Sequence, residues 1–349
     1  LAEAEPDDLT EATDETGEEE APAETPTPEP TSAPPAPVTG TLGGGAFELG
    51  GQTHSLANPG YMQQAGMTWV KFQHKWNPGD DPAGTVGGRI SQGQSQGFKV
   101  LLSIPGVDYP TQPIDYAAYV EYLRGVAALG PDAIEVWNEP NLWREWPPGS
   151  ISGITYTNEM LKPAYEAIKG VNPNIMVISG GPAPTGFFSG CADRGCDDWM
   201  YIAQMAEAGA ANYMDCVGVH YNEGIVPPSA TGGDPRDDFY SRYFWGMTNL
   251  YYSTFGGVPL CYTEFGYLTG EGLGDLPDAF AWAGSTTVQD QANWLAEAAL
   301  LSSQSGQVRM MIVFNVDIQV WGYDPQAGYA IIRPDGGCPA CEALAAIQP

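Results

Sequence analysis

Basic side chains are scarce in this chain: thirteen Lys and Arg stand against forty-three Asp and Glu, a formal net charge of −30 over 349 residues. A surface that acidic repels nucleic-acid phosphates and anionic lipid, which removes both from the expected partners and leaves a neutral polymer undisfavoured. Histidine is rarer still, with only His54, His74 and His220 present. Metal catalysis needs about three convergent ligands, and three scattered histidines do not announce them, so no metal and no cofactor are expected. No apolar run approaches the about 20 residues that a membrane-spanning helix requires. The glycines at Gly43–Gly45 and Gly50–Gly51 lead into no convincing helix, so a dinucleotide or phosphate cradle is not expected either. We also expect no serine nucleophile, which argues against an esterase.

Six cysteines are present. Cys191 and Cys196 bracket a short polar loop, and Cys338 and Cys341 form a lone C-x-x-C without the second pair that a structural zinc site needs. Each pair reads as a local disulfide or as plain thiols, and disulfides would suit an oxidising compartment. Cys216 and Cys261 fall inside apolar runs and are expected as buried free thiols.

The chain has two parts of different character. Residues 1–42 are rich in Glu, Thr, Pro and Ala, with twelve acids and no Lys or Arg before position 41. Such a segment cannot bury enough apolar surface to offset its ordering entropy, so we expect a disordered, extended tether. The first residue is Leu1 rather than Met, so a processed start is expected, on a secreted protein or one tethered at the cell surface ahead of residue 1. Residues 43–349 carry the folded domain.

In that domain short β-type runs alternate with longer helical ones. The expected strands are 46–49, 68–72, 99–104, 133–137, 175–179, 216–220, 260–264 and 309–314, and the clearest helices are 116–129, 155–169, 198–208, 239–252 and 288–303. Two further helices, near 61–64 and 88–96, are diluted by Gly and Gln. Several strands are apolar throughout, as in a parallel sheet covered on both faces. Eight such units match an α/β fold closed into a (β/α)8 barrel better than an open doubly wound sheet.

Catalytic groups of such barrels lie where strands end. Those positions hold Gln52 and His54 after strand one; Lys71, Gln73, His74 and Trp76 at strand two; and Ser103 at strand three. Asn138 and Glu139 end strand four, His220, Tyr221 and Asn222 strand six, and Glu264 strand seven. Asn315, Asp317 and Trp321 follow strand eight. Carboxylates, amides and aromatics on one rim suit a sugar, whose C–H face stacks on rings. Cleaving a glycosidic bond takes one carboxylic acid to protonate the leaving oxygen and one carboxylate facing the anomeric carbon. Strands four and seven oppose one another, so Glu139 and Glu264 can converge. Like charges that close are expected to push one pKa upward and keep the acid protonated.

The run Ile134-Glu135-Val136-Trp137-Asn138-Glu139-Pro140-Asn141-Leu142-Trp143 resembles the strand-four motif of clan A glycoside hydrolases. It is most similar to that of the xylosidase/iduronidase family and its exopolysaccharide-cleaving relatives. Leu260-Cys261-Tyr262-Thr263-Glu264-Phe265-Gly266 is similar to the clan's strand-seven motif, and Gly328–Gly336 to the segment after strand eight. The resemblance runs from about Phe47 to the end, in the right order. It implies a retaining O-glycosidase with Glu139 as acid/base and Glu264 as nucleophile. It also implies Asn138 at the sugar 2-hydroxyl, His220 in the same subsite and Trp321 as the platform beneath.

Two departures stand out. The clan usually has an Arg near the end of strand two, where this chain offers Lys71, Gln73, His74 and Lys75. His220 and Tyr221 are adjacent rather than one residue apart, so they point to opposite faces. Other residues carry two readings each. Trp143 and Trp146 either stack sugars or pack their loop, Asp317 is a third acid or a loop cap, and Glu135 shares the parity of Glu139 as a buried layer residue. His54 and His74 are rim or core histidines unless they touch sugar. The competing function is a catalytically silent barrel, glycan-binding or structural at a cell surface, that self-associates through its acidic tail.

Overall fold

The computed structural model describes residues 38–43, 45–107 and 112–349. Most of the expected tether therefore lies outside the described residues. Val38 and Leu42 pack against the hydrophobic core, and the Leu42 N–H bonds the Ile347 carbonyl at 2.8 Å.

Eight parallel strands form one sheet: β1 (Glu48–Gln52), β2 (Trp69–Gln73), β3 (Lys99–Ile104), β4 (Ala133–Val136), β5 (Met176–Ser179), β6 (Val217–Tyr221), β7 (Leu260–Phe265) and β8 (Val308–Val313). Their order is β5-β4-β3-β2-β1-β8-β7-β6, and a parallel bridge between Ile178 and Cys216 links the two ends. This is the (β/α)8 barrel that the alternation of elements led us to expect, with helices such as Tyr116–Ala128, Phe244–Thr254 and Val288–Ser305 around it.

Local chemistry explains most boundaries. The Val288–Ser305 helix starts at a Thr287/Asp290 capping box and stops at Gly306 in the left-handed region. The helical stretch 153–171 is not uniform: a π turn covers Tyr156–Leu161 just ahead of Pro163. Proline has no N–H to give to the preceding turn, which accounts for the widening there. Strand one starts two residues later than expected and runs through Gly50 and Gly51. A Cβ at Gly50 would meet Trp69 and Ile312 at 2.6 Å, so the glycine lets neighbouring side chains fill the barrel.

Inside the barrel the pleat sorts chemistry by height. Trp69, Leu101, Ala133, Met176, Ile178, Cys216, Cys261, Met310 and Ile312 form an apolar lower cluster. Two residues further along their strands, on the same face, stand Lys71, Ser103 and Glu135, all fully buried. An apolar floor thus supports a charged upper layer.

All six cysteines are paired: Cys191–Cys196, Cys216–Cys261 and Cys338–Cys341. The expectation of free thiols at Cys216 and Cys261 is corrected. Their Cα atoms are 5.8 Å apart at the feet of adjacent strands β6 and β7, a proximity that 45 residues of sequence separation conceal.

Candidate active site

The β4 strand ends in an unusual turn. Trp137 has φ of +79°, a region that a bulky residue enters only when its surroundings hold it there. Here they do. The Trp137 N–H bonds the Tyr119 hydroxyl at 3.0 Å, Ser103 Oγ reaches the Trp137 carbonyl at 3.3 Å, and Tyr119 and Trp146 pack edge-on against its ring. A second tyrosine, Tyr156, donates to the Val136 carbonyl at 2.8 Å. The turn places Asn138 and Glu139 at the barrel mouth.

Opposite, the register between β6 and β7 shifts after Val219, so that His220 stands level with Glu264. One ligand-type atom from each of Glu139, His220 and Glu264 lies within 4.8 Å of the others. His220 is fully buried; its Nδ1 is 3.1 Å from Glu139 Oε1 and 3.8 Å from Glu264 Oε2, and its Nε2 is 3.8 Å from Glu135 Oε1. Burial alone would lower its pKa, but the surrounding glutamates, Glu264 first, outweigh burial and hold it at about 10. Gly181 makes room for the ring, since a Cβ there would lie 2.6 Å from His220 Cδ2.

Lys71 completes the layer. Its Nζ lies 3.1 Å from Glu135 Oε2, 3.4 Å from Glu264 Oε1 and 3.1 Å from the Thr263 carbonyl. Burial works against its charge, yet the two carboxylates raise its pKa. Burial likewise opposes ionisation of Glu135, but Lys71 and His220 pull it down to about 2. Asn222 Nδ2 approaches Glu264 Oε2 at 3.4 Å. Glu264 therefore sits among a lysine, an imidazole and an amide.

The acid/base expectation needs one correction. Burial pushes Glu139 up, but His220 and then Arg144, 3.5 Å away, overcome it, and its pKa is lowered. The raised carboxyl is Glu145, pushed to about 7 by burial and by the charge of Glu139. Glu145 Oε1 accepts from Asn138 Nδ2 at 2.7 Å and Oε2 from the Glu139 N–H at 2.8 Å. Nothing in the sequence singled out Glu145 or Arg144. They follow the strand-four motif in a loop that folds back on it, and only that return brings them into the site.

Other candidates are more dispersed. Tyr221 is corrected from a substrate contact to a core residue: its hydroxyl bonds the Arg242 carbonyl at 3.0 Å and its ring stacks on Phe265, the face opposite His220. His74 leans on Tyr122 and bonds Asp80 at 3.2 Å; burial lowers its pKa. His54 is exposed on the loop after β1, and the Gln73 carbonyl is taken by Arg89 at 2.6 Å. Trp143 is half-buried with the Arg194 guanidinium 5.2 Å from its ring centre, and Trp146 is buried and packs its loop. Trp321 is half-buried, near Gly328. Asp317 caps a loop, accepting from Thr53 at 2.7 Å and Asn58 at 2.8 Å. The run Gly93–Gly97 does spell Gly-x-Ser-x-Gly, but it closes the helix Gly88–Ser95, where Ser95 donates to the Gln92 carbonyl, rather than forming a strand-to-helix elbow.

Glu139, His220 and Glu264 carry atoms of the kind that hold metals. His220 Nδ1 lies between the two carboxyls, 3.1 Å from Glu139 and 3.8 Å from Glu264. Among the described residues no helix is long and apolar enough to cross a membrane.

No protein-family model matches the chain, and no curated protein matches it. Solved structures do. The GH53 catalytic domain of Ignisphaera aggregans superposes with a TM-score of 0.63 at 15% identity, over 90% of this chain and 100% of that one. A GH10 endoxylanase from a sugarcane soil metagenome gives 0.55 at 13% identity, over 86% and 97%. The endo-1,4-beta-mannanase of Rhizomucor miehei gives 0.53 at 14%, over 89% and 98%. At these identities the likeness is one of fold. The chain shares the (β/α)8 barrel of these glycoside hydrolases, with Glu139 and Glu264 converging where its fourth and seventh strands end.

Proposed function

We propose that the chain is a retaining O-glycosidase that cleaves an extracellular poly- or oligosaccharide by double displacement. The observation that carries this reading is the approach of Glu139 and Glu264 to within 4.8 Å. Carboxyls about 5–5.5 Å apart leave the second free to attack directly, whereas inverting enzymes separate them by about 6.5–9.5 Å to fit a water.

In the first step a Glu264 oxygen bonds the anomeric carbon as the bond to the leaving oxygen breaks, and Glu139 delivers a proton to that oxygen. In the second, Glu139 takes a proton from water, whose oxygen displaces Glu264. Lys71 and Asn222 aim the Glu264 carboxyl, one at each oxygen. His220 Nδ1, 3.1 Å from Glu139 Oε1, is placed to hold the proton that Glu139 passes on. Esterification of Glu264 removes the charge that most strongly holds that proton. Glu139 then gains it as the leaving group departs, and returns it in the second step.

The narrower kinship with the xylosidase/iduronidase family rests on the strand-four and strand-seven motifs. Solved structures of similar fold include an endo-mannanase and an endoxylanase, which favours a polysaccharide as substrate. Three disulfides favour an oxidising, extracellular setting. The test is hydrolysis of a panel of aryl β-glycosides and polysaccharides by wild type, Glu139→Gln and Glu264→Gln. Turnover that falls at least about a thousandfold in Glu264→Gln supports the reading. A chain inactive on the whole panel, or variants equal to wild type, would move the silent, tail-assembled barrel to the front.

A further inference from the structure

Glu145 has no place in the two-carboxylate scheme, yet its side chain holds two parts of the catalytic motif at once. One oxygen accepts the Asn138 amide at 2.7 Å and the other the Glu139 backbone N–H at 2.8 Å. Asn138 is 5% exposed, and its carbonyl oxygen Oδ1 is buried with no partner among the described residues. A buried acceptor left unpaired is unfavourable, and a ligand bringing a donor relieves it.

We infer that Glu145 is a positioning residue that fixes the orientation of the Asn138 amide, so that Asn138 meets the sugar as an acceptor and selects a hydrogen-bond donor at that position. The inference rests on the glycosidase reading for its ligand but not for the clamp itself. The physical reason is the donor inventory. A carboxylate only accepts, so Asn138 must turn its NH2 toward Glu145 and its carbonyl away. The Glu139 N–H belongs to the backbone and cannot turn, so one Glu145 oxygen is always committed to it. The second oxygen alone decides which way Asn138 faces.

Protonation of Glu145 reverses that choice. Its neutral form carries O–H on the oxygen that faces Asn138, because the other must still accept from Glu139. The amide of Asn138 then flips to accept. The ionised groups around Glu145 are Glu139, which raises its pKa after burial, and His220, which lowers it; Arg144 pairs with Glu139 at 3.5 Å. Glu145→Gln copies the neutral form permanently: its carbonyl must face the Glu139 N–H, so its NH2 faces Asn138.

Two readouts separate this role from simple structural support. In protein labelled with 15N-asparagine, the Asn138 side-chain amide is assigned by its absence in Asn138→Asp. At about pH 8.5 it should resonate downfield and exchange slowly in wild type, move on acidification with the titration of Glu145, and lose both features in Glu145→Gln. A signal identical in wild type and Glu145→Gln overturns the clamp whether or not a substrate is known. On the substrate found in the panel, Glu145→Gln should lower kcat/KM about tenfold to a hundredfold, from one mismatched buried hydrogen bond. It should also narrow, by about tenfold, the preference for that substrate over analogues with single hydroxyls replaced by fluorine, which accepts and cannot donate. An unchanged preference for every analogue overturns the selection of a donor. Glu145→Asp, which keeps the acceptors on a shorter stem, provides the second variant should the glutamine protein fail to fold. It should retain the slow-exchanging amide.

Discussion

Replacing Lys71 with Met probes the charged layer directly. The side chain is fully buried, and its ammonium faces Glu135 at 3.1 Å and Glu264 at 3.4 Å. Met fills a similar volume, so the loss is mainly electrostatic. Glu135 would then be a buried carboxylate that keeps His220, at 3.8 Å, as its nearby cation. Breaking a buried pair from one side costs about 3–5 kcal/mol, and the residual imidazole argues for the lower end. The depressed pKa of Glu135 points the same way, because Lys71, and after it His220, favour its ionised form against burial.

The pH dependence has a definite sign. A depressed folded pKa contributes stability that is present above 4.5 and lost as pH falls toward 2. Urea unfolding at pH 7 should therefore put Lys71→Met about 3 kcal/mol below wild type, and the gap should narrow by about 2 kcal/mol at pH 3. The double variant Lys71→Met/Glu135→Gln leaves no buried charge in that pair and should recover most of the loss. A single variant within about 0.5 kcal/mol of wild type at pH 7, or a gap that ignores pH, would show that the Lys71–Glu135 pair does not stabilise the fold.

Three other outcomes follow from the same geometry. Gly181→Ala forces a Cβ to 2.6 Å from the His220 ring, so kcat should fall about tenfold or more with the circular dichroism spectrum unchanged. His220→Gln removes the cation that most depresses Glu139, so the pH profile of kcat/KM should move to higher pH; an acid shift would contradict the assignment. Cys216→Ala/Cys261→Ala opens a cross-link spanning 45 residues, and chain entropy puts the cost at about 4 kcal/mol in urea unfolding, with a near-normal result counting against it.

The fold was readable because seven of the eight strands are largely apolar runs of the right length between helical stretches, and a barrel covers both faces of a parallel sheet. Strand one was displaced because Gly50 and Gly51 look like a breaker, while in the barrel they make way for Trp69 and Ile312. The rim positions of Glu139 and Glu264 were legible from strand ends, since a strand that stops fixes where its last side chain emerges. What escaped was everything that depends on a partner far along the chain. The Cys216–Cys261 bond joins two strands. The lowered pKa of Glu139 comes from His220, 81 residues away. Glu145 acts through a loop that doubles back, and no periodicity marks such a residue. Tyr221 failed as a sugar contact for a local reason that strand alternation already contains: with His220 facing inward, its neighbour must face out.

Azide rescue of the two alanine variants separates the roles of Glu139 and Glu264. With a substrate from the panel, azide should restore turnover in both variants, and the configuration of the glycosyl azide should differ between them. Glu139→Ala still forms the ester on Glu264, so azide replaces water and the product retains configuration. Glu264→Ala has a cavity where the nucleophile stood, so azide attacks directly and the product is inverted. Retained product from Glu264→Ala, or no rescue of either variant by azide, would contradict the account.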